Sequence, residues 1–102
     1  MEKTTERVAW ITGASRGIGR AITLRLAEAG FTIVASARSS NADAVVDKIN
    51  AEGGKAVALS LDVTNVVSIP NIATEIVDQF GRIDVLVNNA GIVRDQLLMR
   101  MK

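Results

Sequence analysis

The sequence predicts an α/β fold in which a parallel sheet carries helices on both faces. Three observations predict it. Short runs of Val, Ile and Leu alternate with longer amphipathic segments, and glycine follows each amphipathic segment. Apolar residues make up 48% of the chain while aromatic residues make up only 3%, so the core must be aliphatic. A strand buried on both faces reads as a continuous aliphatic run, and helix-covered parallel sheets are built from such strands.

The aliphatic runs are Arg7 to Ile11, Phe31 to Ala37, Ala56 to Leu61 and Ile83 to Val87, each of strand length. Helical spacing fills the intervals. Ile18, Ile22, Leu26 and Ala29 share one face ahead of Gly30; Ala42, Val45, Val46 and Ile49 share another ahead of Gly53-Gly54; Ile69, Ile72, Ala73, Ile76 and Phe80 share a third ahead of Gly81. Glycine just past the last turn accepts the left-handed conformation that ends a helix. Pro70 lacks an N–H and fits only a first turn, so the third helix is expected to start irregularly, with Ser68 as its cap. The order βαβαβαβ then calls for right-handed crossovers and a parallel sheet. The tail from Ile92 to Lys102 carries Leu97, Leu98, Met99 and Met101 among three basic residues. It reads as the opening of a fourth helix, which leaves the strand at Ile83 to Val87 as an edge.

Composition narrows the chemistry. At 102 residues the chain is one domain or part of one. Dispersed charges summing to +1 give no footprint for nucleic acid or for an acidic membrane. Cysteine and histidine are absent, which removes disulfides, thiol nucleophiles and the usual zinc ligands. Tyrosine is absent too. No apolar run approaches the roughly 20 residues of a membrane span, and the polar start Met1 to Glu6 lacks an apolar signal segment; the expected location is the cytoplasm.

The stretch TGASRGIG, Thr12 to Gly19, lies between the first strand and the first helix. In that context free N–H groups and the positive end of the helix dipole face an incoming pyrophosphate, and glycines let it reach the main chain. Gly13, Ser15, Arg16, Gly17, Ile18 and Gly19 are therefore candidate cofactor contacts. The alternative is a tight turn that serves only strand–helix packing. At the end of the second strand dinucleotide folds place an acid for the ribose of NAD, or an arginine near the 2′-phosphate of NADP. Here the acid is missing and Arg38 is present, with Arg16 as a second guanidinium; both could instead be solvated. Asp62-Val63 closes the third strand, where the carboxylate could accept from an adenine amino group or merely cap the following helix. Asn88-Asn89-Ala90-Gly91 follows the fourth strand and would face the glycine loop across the crevice. It could brace the loop and touch the cofactor, or it could be an ordinary turn.

Thr12-Gly13-x-x-x-Gly17-x-Gly19, Asp62 and Asn88-Asn89-Ala90-Gly91, in this order and at these separations, resemble the N-terminal signatures of the short-chain dehydrogenase/reductase family. The resemblance runs from about Arg7 to Lys102. It implies a Rossmann-like sheet of order 3-2-1-4 truncated after the fourth strand, with residues 1–102 forming the N-terminal NADP-binding half of a single domain. The stretches TGASRGIGRAI and NNAGIVRDQLLMRMK are most similar to members that use NADPH to reduce the 3-oxo group of an acyl chain on its carrier protein. Other members act on a sugar, a steroid or a small alcohol. A free-standing nucleotide-binding module without catalysis is the alternative of a different class. The family's Tyr-x-x-x-Lys pair belongs to the second half of longer chains, so no catalytic and no metal-binding residue is assigned here, and the 102-residue chain is expected to be inactive. Trp10 stands where the family usually has an aliphatic residue, a change expected to affect packing only. An exposed fourth strand and an apolar tail are expected to drive homo-oligomer formation.

Overall fold

The computed structural model describes residues 6–38, 41–61, 68–88 and 97–100. Along the chain it forms β1 (Val8–Thr12), α1 (Gly17–Glu28), β2 (Thr32–Ser36), α2 (Asp43–Ala51), β3 (Ala56–Ala58), α3 (Ser68–Phe80), β4 (Val85–Asn88) and β5 (Leu97–Arg100). The sheet order is β3-β2-β1-β4-β5. The first four strands are parallel in the expected order, with Trp10 beside both Val34 and Leu86.

Burial explains why the aliphatic runs are continuous. Every residue of β1 and β2 is buried, and alternate side chains enter different layers. Ala9, Ile11, Ile33 and Ala35 pack with Val45, Val46 and Ile49 under α1 and α2. Val8, Trp10 and Val34 pack with Ile76 and Phe80 of α3 on the other face. Burying one such branched side chain contributes about 1.5–3 kcal/mol.

The three helices stop where glycine was expected. Gly30, Gly53 and Gly81 have φ of 98°, 91° and 89°, a region that side chains with a Cβ avoid. Pro70 falls in the first turn of α3. The apolar stripe of α1, however, differs from the expected one at both ends. Ile18 is 60% exposed and Ala29 is exposed, whereas Gly19 and Thr23 are the buried positions. Ile18 sits in the first turn, past the carboxyl end of β1, where no strand remains to pack against.

The tail corrects the reading of a fourth helix. Leu97 to Arg100 pairs antiparallel with β4, from Asn88↔Leu97 to Val85↔Arg100, so β4 is an interior strand and β5 is the edge. A short apolar run has no period that separates helix from strand, and the open side of β4 offers unpaired N–H and C=O groups that such a run completes. At the opposite edge, the Asn50 side chain substitutes for a strand. Its Nδ2 donates to Ala56 O at 3.1 Å and its Oδ1 accepts from Ala56 N at 3.0 Å.

Candidate functional site

After β3 the chain crosses back over β1 to enter the sheet as β4, so the strand order reverses between β1 and β4. In an open parallel sheet, ligands bind outside the carboxyl ends of the strands at this reversal. Three strands end level there, because Thr12 is in register with both Ser36 and Asn88. The Thr12 hydroxyl lies 3.2 Å from Asn88 Oδ1 and 3.4 Å from Val87 O. This ties the start of the glycine loop to the end of β4.

The loop itself is held from β2. Ala14 is fully buried, and its N–H donates to Ser36 O at 3.1 Å. Gly13 and Gly17 have φ of 66° and 60°, which turns the chain from β1 into α1 within a few residues. Arg16, the N-cap, is extended and makes no side-chain capping bond, and the first turn of α1 holds no acidic residue. Helix N-termini usually satisfy these N–H groups with a hydroxyl or carboxylate. Here they and the dipole remain available to an anion. A Cβ on Gly17 would meet nothing within 4 Å, so the space in front of the turn is open.

Gly19, in the same first turn, is buried, and the Thr23 hydroxyl donates to its carbonyl at 2.7 Å. Ser15 is half-buried. Arg16 and Arg38 are exposed, and neither forms an ion pair with another described residue. The backbone of Arg38 is fixed because its carbonyl accepts from Asn41 N at 3.1 Å. The structure thus places Gly13, Ser15, Arg16, Gly17, Ile18, Gly19 and Arg38 at one end of the sheet. Asp62, Val63, Asn89, Ala90 and Gly91 lie outside the described residues. Among the described residues no cluster of side chains could hold a metal ion. A cavity of about 210 Å³ between α1 and α2, lined in part by Ala27, Lys48, Ile49 and Glu52, is remote from this crevice.

Trp10 does more than fill the core. Its Nε1 donates to Ser36 Oγ at 2.9 Å, a contact the expectation of packing alone did not include. The sequence carried its signal: a tryptophan inside a buried strand brings an indole N–H that needs a partner.

A helix N-terminus without a side-chain cap and with open space beside Gly17, set at the reversal of a parallel sheet, defines a dinucleotide-binding type of α/β domain. Residues 7–102 match the family model described as short chain dehydrogenase, and the chain belongs to that family. It is 52% identical to a 3-oxoacyl-[acyl-carrier-protein] reductase of Synechocystis, with 100% of this chain and 42% of the relative covered. It is 50% identical to the corresponding reductase of Staphylococcus aureus, covering 92% of this chain and 39% of that protein. The chain therefore spans about two fifths of the length of these relatives. Among solved structures, a metagenomic short-chain oxidoreductase in complex with NADP superposes with a TM-score of 0.80 at 44% identity, over 84% of this chain and 39% of that one. A 3-ketoacyl-ACP reductase from Sinorhizobium meliloti gives 0.77 at 44% identity, over 83% and 34%.

Proposed function

We propose that this chain is the dinucleotide-binding half of an NADPH-dependent 3-oxoacyl-[acyl-carrier-protein] reductase of fatty acid synthesis, working in the cytoplasm. The observation that carries the reading is the start of α1 without a side-chain cap from Arg16, facing open space at Gly17, with Arg16 and Arg38 forming no ion pair among the described residues. The identity of about 50% to reductases of that name supports the substrate class, and the NADP-bound neighbour supports the nucleotide.

The residues present fit such a cofactor. First-turn N–H groups of α1 would hold the pyrophosphate, and the exposed Ile18 would line the site beside it. Arg16 and Arg38 would bind the 2′-phosphate through charge-assisted hydrogen bonds. Asp62 with Val63 would take the adenine, and Asn89-Ala90-Gly91 the opposite wall. A reduced nicotinamide bound there would supply the hydride that the 3-oxo carbon needs. Reduction also needs a proton donor at the resulting alkoxide. Tyrosine, histidine and cysteine are all absent from this sequence, so we expect the 102-residue chain to turn nothing over; we expect weak nucleotide binding because the nicotinamide half of the cofactor would lack its floor.

The second reading is a short-chain reductase acting on a sugar, a steroid or a small alcohol; a further neighbour, an NADPH-dependent reductase involved in bacilysin biosynthesis, at 36% identity and a TM-score of 0.78, adds support for the nucleotide. The carrier-linked thioester remains the better supported of the two. The chain is also proposed to self-associate, through the outer edge of β5 now that β4 is interior.

Calorimetric titration with NADP and NAD tests the reading. NADP should bind in the micromolar range or weaker, and about tenfold more tightly than NAD, as one charged hydrogen bond allows. Equal affinities would overturn the nucleotide assignment. Turnover of an acetoacetyl thioester by a sample of verified mass would overturn the expected inactivity.

A further inference from the structure

Trp10 is the chain's single tryptophan and is 1% exposed. Its hydrogen bond runs diagonally from the middle of β1 to Ser36, the last residue of β2, which is itself fully buried. The Ser36 carbonyl in turn accepts from Ala14 in the glycine loop. The next carbonyl, Ala37 O, accepts from Leu61 N at 3.0 Å, and Arg38 follows directly. Ser36 is thus the joint between the loop that meets the helix N-terminus and the segment that carries the arginine. An aliphatic residue at position 10 would fill the same layer against α3 but would leave the Ser36 hydroxyl without this donor.

We infer that Trp10 is a positioning residue for nucleotide selectivity: by donating to Ser36 Oγ, its indole fixes the end of β2 and with it the spacing of Ala14 and Arg38. The inference rests on the dinucleotide reading above. Neither Trp10 nor Ser36 need touch the nucleotide. Their pairing restricts the end of β2 to one arrangement, in which Arg38 is set for a 2′-phosphate.

The test uses Trp10→Phe, Ser36→Ala and the double variant, each titrated with NADP and with NAD, alongside amide exchange at Ala14 and thermal melting. Each single change should lower the ratio of NADP to NAD affinity three- to tenfold and speed exchange of the Ala14 N–H. The double variant should fall no further, because both changes remove the same bond. A lower melting temperature with an unchanged affinity ratio would make the pair merely structural and overturn the inference. A parent protein that binds both nucleotides equally would instead overturn the NADP assignment and the inference together. Should Trp10→Phe fail to fold, Ser36→Ala, which removes one oxygen atom, decides alone.

Discussion

The two ends of the same sheet treat polar groups in opposite ways. At the amino ends of the strands the charges are paired. Asp84 accepts from Val8 N and from two nitrogens of Arg82, all at 2.8 Å. Lys55 donates to Glu6 at 2.8 Å across 49 residues of sequence, and the Arg7 guanidinium lies 5.4 Å from the Phe31 ring centre. At the carboxyl ends Arg16 and Arg38 are exposed without ion pairs among the described residues, and α1 starts without a capping side chain. The lower end holds the strands together; the upper end keeps its hydrogen-bonding capacity for something else. Family membership alone would not have separated these roles, since both ends are rich in arginine.

Changes at the upper end should act on binding, and Arg38→Asp should also spare stability. Arg38→Asp has the largest expected effect: the NADP to NAD preference should shift by one to two orders of magnitude toward NAD, as loss of a charged hydrogen bond worth about 1.5–3 kcal/mol implies. Paired titrations check it, and an unchanged ratio breaks the contrast. Gly17→Val should weaken both nucleotides about tenfold or more. The φ of 60° costs a residue with a Cβ roughly 1–2 kcal/mol, and the new side chain occupies the space in front of the helix. Equal loss for NADP and NAD distinguishes it from Arg38→Asp.

Changes at the lower end should do the reverse. Asp84→Asn is expected to destabilise by about 1–2 kcal/mol, since it removes a charge-assisted pair but keeps an acceptor for Val8 N–H. Chemical denaturation measures it, and nucleotide preference should not move. The Arg82 guanidinium, and more weakly the Val8 N–H, hold the Asp84 carboxyl below its ordinary value, against an opposing effect of burial. Its contribution is therefore fully present above the unfolded-state value of about 4 and is lost as pH falls through the folded one. Stability should drop on acidification below about pH 4, and less steeply in Asp84→Asn. The smallest effect is expected from Asn50→Ala, about 1 kcal/mol for two neutral hydrogen bonds at a partly exposed strand end.

The lower end was also the harder one to read from sequence. Strands and helices were legible because aliphatic runs, helical stripes and glycine stops are local signals, whereas the order 3-2-1-4 came from the family resemblance of the motifs. The glycine loop was legible as a break between strand and helix because three glycines are costly inside either element, whereas Arg38 stood out only by its place after the second strand. Asp84 was read as part of a strand, yet it precedes β4 and satisfies a backbone N–H of β1 that lies 76 residues away in sequence. Asn50 imitating a strand, and Trp10 reaching Ser36, depend on register between segments far apart in sequence. Ile18 was assigned to the buried face because periodicity records a helix's faces but not where the sheet beneath it ends. The tail failed for want of length: four residues of β5 fit two periods equally well.

The amide of Asn50 has a consequence for symmetry. The edge at β3 is three residues long, and Asn50 occupies its first position, so β5 is the better edge for a second copy. A strand that pairs with its own counterpart does so about a two-fold axis, and that contact uses up the edge on both copies. Growth through both edges would give an open filament; growth through one closes. The self-association proposed here should therefore stop at two chains, and light scattering should report twice 10.8 kDa with no larger species as concentration rises.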